Sequence, residues 1–283
     1  MGWLSRNAAR TIATTYSLIS RGGRWTSVLA MIAGASIWRL LSAIPFCPTL
    51  WPDAVILVRL PGFHGYLRFL STDIFLFQEL WIDRVYDIHP DVKPKPDWTV
   101  VELGGHIGMY AILLGRTVDP GRGGRVLTLE CDPGSYRILE RNIAANRMED
   151  RVFPFQAAAF SHRGEGAFIS TTRTIDSHLE GFGNASAKSR LRLRHSSLGR
   201  IKLTTLDTIV EQERITTIDL LKINIEGAEF EALKGGTRKA LGLTRRILLV
   251  HEADVPFSEI TDFLGTYGFG LKESVGNIYY LSK

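Results

Sequence analysis

The residues best placed to do chemistry are a group of glycines flanked by acids. In "VVELGGHIGMYA", residues 100–111, Glu102 closes an apolar run, and Gly104, Gly105 and Gly108 follow with His106 among them. Glu130 stands 22 residues past Gly108 at the end of a second apolar run, and "INIEGAE" later brings Asn224 and Glu226. A glycine bend between a strand and a helix is where open α/β sheets hold ligands. The dinucleotide fingerprint G-x-G-x-x-G does not fit, because His106 and Ile107 follow where bare backbone is needed. No Lys-Ser or Lys-Thr follows the glycines, so a P-loop fails too. The pattern favours a phosphate-free ligand whose amino-acid or ribose part lies against Gly104 and Gly108, with helix amides facing a carboxylate. S-adenosylmethionine has those parts. An acid on the tip of the adjacent strand accepts both ribose hydroxyls, the role expected of Glu130. The bland alternatives are a plain strand-to-helix turn and a solvated strand end.

The elements that must position these residues follow from periodicity. Val100 and Val101 end a buried strand, and 107–114 reads as a helix. "GGRVLTLECDPGSYRILERNIAAN" supplies a strand over 125–129 and a helix over about 134–146. "RVFPFQAAAF" gives a third strand with "GEGAFIS" after it; "IDLLKIN" is the fourth and "RRILLVHE" the fifth. "PFSEITDFLGTYG" then reads as a helix, and "FGLKES" with "NIYYLSK" as a closing hairpin. Such alternation requires a parallel sheet with crossover helices. Ahead of it, residues 53–97 hold a hairpin, "AVILVRL" and "GYLRFL" around "PGFHG", a helix-like "DIFLFQELWIDRVYDI" and a proline break at "HPDVKPKPDW". This region is expected to cap the site. Residues 171–200 are polar and basic without a period; extended, Arg190, Arg192 and Arg194 share one face, which either meets an anionic substrate or is solvated.

At 283 residues and 45% hydrophobic, the chain buries one large core with a smaller appendage. Cys47 and Cys131 exclude a disulfide framework and a cysteine metal site, and fit a reducing, cytoplasmic setting. The +5 net charge belongs to residues 1–52, which carry Arg6, Arg10, Arg21, Arg24 and Arg39 and no acid. Their apolar run is broken by Arg39, so the arm is expected to lie on the cytoplasmic face of a membrane, or to pack on the body as a lid, rather than to span. Its arginines are too sparse and too mixed with apolar residues for a nucleic-acid stripe. The expected division is 1–52 arm, 53–97 cap and 98–283 catalytic domain, with the oligomeric state open.

Three blocks carry a family resemblance: "VVELGGHIGMYA", "IKLTTLDTIVEQ" with Thr205, Leu206 and Asp207, and "DLLKINIEGAEFEALKGG". Together they resemble the FkbM-type methyltransferases, which use S-adenosylmethionine. The resemblance implies a Rossmann-like class I methyltransferase fold: an α/β seven-stranded, mostly parallel sheet with an antiparallel last strand. It also implies a cofactor over the first two strand ends, and O-methyl transfer to sugar or polyketide hydroxyls. Where the family usually has Asp, Ala and Asn in the first block this chain has Glu102, Gly105 and His106, and where it has Asp in the last block this chain has Asn224. Glu102, Gly104, Gly105, His106, Gly108, Glu130 and Asn224 are therefore the expected cofactor residues.

Methyl transfer is an in-line displacement, so alignment does most of the work. An alcohol becomes a good nucleophile once its proton leaves, so a base is sought at the strand mouth. Glu226 is the first candidate; His251, oriented by Glu252, is the second. Asp207 and Glu229 are expected to hold loops and helix termini. No metal is expected. The reading is an O-methyltransferase acting on a sugar, glycolipid or polyketide-like acceptor. Its rivals are an N- or carboxyl-methyltransferase, a degenerate cofactor-binding module, and, last, an NAD-dependent oxidoreductase.

Overall fold

The computed structural model describes residues 55–60, 62–68, 73–170, 178–179, 197–252 and 255–283. The basic arm 1–52, Cys47 and the Arg190, Arg192 and Arg194 face lie outside the described residues.

A seven-stranded sheet forms the centre. Its strands are β3 (Thr99–Leu103), β4 (Arg125–Glu130), β5 (Val152–Gln156), β10 (Leu220–Ile223), β11 (Arg246–Val250), β12 (Gly270–Val275) and β13 (Ile278–Ser282). Their order is β12-β13-β11-β10-β3-β4-β5, and β13, the last strand in sequence, runs antiparallel to both neighbours. The expected class I arrangement is thus present. β3 and β10 read as near-continuous apolar runs because parallel strands are covered on both faces. Alternate residues feed opposite sides: Val100, Val126, Leu220 and Leu248 join one buried cluster, and Val101, Leu127, Leu221 and Leu249 the other. Each such side chain contributes about 1.5–3 kcal/mol by leaving water.

In-register pairing stacks matching rungs across β10, β3 and β4: Leu220–Val100–Val126, Leu221–Val101–Leu127, Lys222–Glu102–Thr128 and Ile223–Leu103–Leu129. One rung is polar. It faces the side covered by α2 (Met109–Gly115) and α3 (Pro133–Ala145), immediately below the strand ends.

The hairpin β1 (Val55–Leu60) and β2 (Phe63–Arg68) forms, with Gly62 at a φ of 81° just before β2. It docks on α3 rather than over the strand ends. Asn142 and Asn146, one turn apart, satisfy the backbone of β2: Asn142 accepts from Tyr66 N at 2.6 Å and donates to Tyr66 O at 3.1 Å, and Asn146 accepts from His64 N at 3.1 Å. Among the described residues of 53–97, those that reach the cavity lie after the hairpin, in α1 (Asp73–Phe77), a π-helical turn, Gln78–Ile82, and at Tyr86. The helix expected to reach Ile88 ends at Ile82, and Arg84 takes a φ of 54°.

The expected third strand splits. β5 ends at Gln156, and Ala158–Ala159 (β6) joins a second sheet of order β6-β9-β7-β8, with β7 at Gly164–Ser170, β8 at His178–Leu179 and β9 at Ser197–Thr204. α4 (Leu206–Gln212) is capped by Thr205, whose hydroxyl accepts from Thr208 N at 3.0 Å. Short helices α5 (Glu229–Lys234) and α6 (Ala240–Leu243), and then α7 (Phe257–Gly265), complete the chain.

Candidate functional site

A cavity of about 930 Å³, counting its open mouth, lies at the carboxyl ends of β3, β4 and β10. Glu102, Gly104, Gly105, His106, Glu130, Asn224 and Glu226 all line it. Gly108, His251 and Glu252 do not. The sequence thus brings together seven of its ten expected residues.

The glycines serve a different purpose from the one expected. Gly104 has a φ of 82°, and a Cβ there would run into the backbone oxygen of Asn224; at Gly105 it would run into the Thr128 hydroxyl. At Gly108, φ 85°, it would meet Leu139 Cδ1 at 2.5 Å. The missing side chains make room for protein, not for a ligand. Nor are the amides of Gly104, Gly105 and His106 offered to a carboxylate. Gly104 N and Gly105 N both donate to Leu129 O, at 3.0 and 2.8 Å. His106 N donates to Glu130 Oε2 at 2.7 Å.

Glu130 is buried at the tip of β4. Its Oε1 accepts from Asp132 N at 2.7 Å, so each carboxylate oxygen holds one amide and keeps a second lone pair for the cavity. Burial pushes its pKa up to about 7, against the pull of the two amides. Two oxygens with spare lone pairs suit a ribose diol. Cys131, Ala157, Ala158 and Phe168 continue the wall beside it with little polarity, as an adenine ring needs. Burial, then the Glu130 charge, pushes the Cys131 thiol well up, so it is inert.

His106 sits at a φ of 50°. Its Nε2 lies 2.7 Å from Arg68 Nη2, and a guanidinium only donates, so Nε2 accepts and the ring proton is on Nδ1. Burial first and the Arg68 charge second bring its pKa down to about 4, leaving the ring neutral. Arg68 is held by Asp73, with Nε to Oδ2 at 3.0 Å and Nη2 to Oδ1 at 3.1 Å, and by the Ser135 hydroxyl at 3.1 Å. This buried cluster ties β2 and α1 to the glycine turn.

At the far side the polar rung comes to the floor. Lys222 Nζ lies 3.3 Å from Glu102 Oε1 and 3.2 Å from Gly104 O, and Thr128 donates to Glu102 Oε2 at 2.8 Å. Tyr86 and Tyr110 stand edge to face above it, with the ammonium 5.5 and 5.8 Å from their ring centres. Asn224 donates to the Tyr86 hydroxyl at 3.3 Å, while its Oδ1 is buried without a hydrogen-bond partner among the described residues. An unsatisfied acceptor on a cavity wall suits a ligand that donates, such as the ammonium of a methionine part. Beside it Glu226 is half-buried at a φ of 53° in a turn closed by Gly227 N donating to Glu229 Oε1 at 2.9 Å. His106 and Glu226 are both non-glycines in a conformation that costs energy, and both line the cavity. Ribose acceptor, apolar wall and ammonium acceptor together fit S-adenosylmethionine.

The other candidates fall elsewhere. His251 packs against Phe257 and Tyr279, with ring centres 5.5 and 6.4 Å away, and burial lowers its pKa. Asp207 accepts from Arg238, Lys239 and Ala240 amides at 2.8–2.9 Å, holding the start of α6 as expected. Tyr86 and Lys222 were not anticipated. A lysine inside the apolar "LLKI" was the signal for the second; nothing marked the first.

The family profile described as "Methyltransferase FkbM domain" matches residues 102–271. The antimetabolite synthetase AmbE of Pseudomonas aeruginosa is 28% identical over 69% of this chain, which spans 10% of that relative's length. The 31-O-demethyl-FK506 methyltransferase FkbM of Streptomyces tacrolimicus is 25% identical, with 77% of this chain and 90% of that protein covered. A crystal structure of methyltransferase FkbM from Methylobacillus flagellatus KT aligns with a TM-score of 0.44 at 16% identity, over 67% of this chain and 44% of that one.

Proposed function

The chain belongs to the FkbM methyltransferase family, whose members use S-adenosylmethionine, and from that premise we propose that it methylates a hydroxyl oxygen of a sugar, glycolipid or polyketide-like acceptor. Bound in the cavity, the cofactor supplies an electrophilic methyl group on a sulfonium. Glu130 holds the ribose and Asn224 Oδ1 accepts from the ammonium. Glu226 takes the proton of the acceptor hydroxyl, worth roughly 10²- to 10⁴-fold in rate. The observation that carries the reading is the placement of Glu226: a half-buried carboxylate on a turn with a φ of 53°, on the same cavity as the ribose-binding acid. A relative named as a 31-O-demethyl-FK506 methyltransferase supports the oxygen acceptor.

The basic arm, outside the described residues, would bring the enzyme to a membrane face where a glycolipid acceptor lies. Among the described residues no helix is long and apolar enough to cross a membrane.

The test is to incubate the full chain with methyl-labelled cofactor and separate glycan, lipid and peptide fractions. Label in a glycan or lipid fraction that survives alkali is an ether and supports the reading. Alkali-labile label identifies a methyl ester, and label in an amine identifies N-transfer. Cofactor binding with no transfer to any fraction supports the degenerate module, which Asn224 in place of Asp favours.

A further inference from the structure

A carboxylate in this cavity has few partners. The amides of Gly104, Gly105 and His106, which a carboxylate-binding turn would offer, are spent on Leu129 O and Glu130 Oε2. Gly108 N is spent on Gly105 O at 2.8 Å. Arg68 is committed to Asp73, Ser135 and His106, and is not part of the wall. Among the described residues that line the cavity, Lys222 has the one cationic side chain.

Its own bonds leave room for another. An ammonium has three N–H groups, and its two hydrogen bonds to protein are long for a charged donor: 3.3 Å to Glu102 Oε1 and 3.2 Å to Gly104 O, where about 2.7–2.9 Å is usual. Glu102 in turn is shared with Thr128 at 2.8 Å. The ammonium is thus positioned, kept charged and incompletely matched. Lys222 is on β10 and Glu130 on β4, with β3 between them. Their strands are two spacings, about 10 Å, apart, and Glu130 lies two residues beyond the rung of Lys222. A ligand with its ribose on Glu130 extends its amino-acid end across β3 towards β10.

Resting on the cofactor assigned above, we infer that Lys222 recognises the carboxylate of its methionine part, with Glu102 and Gly104 O orienting the ammonium. Lys222 then contributes discrimination for the intact amino acid, and Glu130 contributes affinity for the nucleoside.

Calorimetric titration of the full chain with S-adenosylhomocysteine and with its decarboxylated analogue isolates this contact, because the two ligands differ by one carboxylate. Wild type is expected to prefer the first by roughly 10- to 100-fold, the worth of one charge-assisted hydrogen bond. In Lys222→Met that preference falls to within about 2-fold, with affinity for the decarboxylated ligand retained. The Glu102→Gln/Lys222→Met double variant removes the unpaired buried acid and gives the same result should the single variant not fold. A preference in either folded variant equal to that of wild type overturns the assignment, as does a wild type that binds both ligands alike. A wild type that binds neither overturns the cofactor reading itself.

Discussion

The backbone amide of His106 donates to Glu130 Oε2 at 2.7 Å, joining two groups whose proton affinities the fold shifts in opposite directions. Burial moves Glu130 from 4.5 up to about 7 and His106 from 6.5 down to about 4. A raised carboxyl contributes stability that is complete below about 4.5 and lost as pH rises through about 7. A depressed imidazole contributes stability that is complete above about 6.5 and lost as pH falls through about 4.

Between about pH 4.5 and 6.5 the contributions cancel, because the folded chain keeps on Glu130 the proton that the unfolded chain keeps on His106. His106→Asn, which tolerates the φ of 50°, leaves only the Glu130 contribution; stability then falls by about 1.4 kcal/mol per pH unit as pH rises. Glu130→Gln leaves only the His106 contribution, with the opposite slope. Urea unfolding at pH 5.0, 5.5 and 6.0 measures both slopes; slopes of like sign would contradict the opposed pair.

The proposed ribose contact makes cofactor affinity depend on the protonation of Glu130. The ionised carboxylate is the better acceptor for a diol, so affinity for S-adenosylhomocysteine rises as pH passes through about 7. Glu130→Gln is expected to lower affinity by roughly 10- to 100-fold and to remove that rise. Glu130→Ala is a poorer probe than the sequence suggests, since it strips the His106 and Asp132 amides of their acceptor. Calorimetry from pH 6 to 8 decides; an affinity unchanged in Glu130→Gln ends the ribose assignment.

The strands of the central sheet, their order of appearance and the cavity acids Glu102 and Glu130 were legible because a buried parallel strand writes itself as an apolar run with a polar end, whereas β8 and β9 of the second sheet were not read. Register was not. Only when β10, β3 and β4 are aligned does Lys222 fall beside Glu102, and no spacing along one strand states that. Tyr86 reaches the cavity because the helix expected to include it stops at Ile82, where Asp83 N turns back to Gln78 O at 2.9 Å in a π-type closure that periodicity does not reveal. The split of "RVFPFQAAAF" between two sheets was hidden for a like reason: edge strand β5 carries Pro154 and ends at Gln156, but the alanines beyond remain apolar.

Glycines mark sharp bends in a sequence but do not say what fills the space. Gly108→Ala places a Cβ against Leu139 Cδ1 at 2.5 Å and holds alanine at a φ of 85°, so it is expected to cost about 1–3 kcal/mol of stability. Cofactor affinity of the folded variant stays within about 3-fold, because the missing side chain faces α3. Thermal melting paired with calorimetry checks this. Full stability with lost affinity would return the glycine to the ligand.

Glu226 and His251 were both candidates for the base, and their surroundings separate them. Glu226 lines the cavity from a turn with a φ of 53°, whereas His251 packs beside the stacked Phe257 and Tyr279 rings and is not part of the cavity wall. A base must reach the acceptor proton within about 2.6–3.2 Å or through one water, which favours the carboxylate on the cavity wall. Glu226→Gln keeps the shape of the mouth and removes the proton acceptor, so kcat is expected to fall roughly 10²- to 10⁴-fold while S-adenosylhomocysteine affinity stays within about 3-fold. His251→Ala opens a gap beside Phe257 and lowers stability, yet kcat of the folded variant remains within about 3-fold of wild type. Steady-state kinetics and calorimetry on the two variants distinguish the roles. A kcat loss in His251→Ala as large as that in Glu226→Gln would move the base to β11.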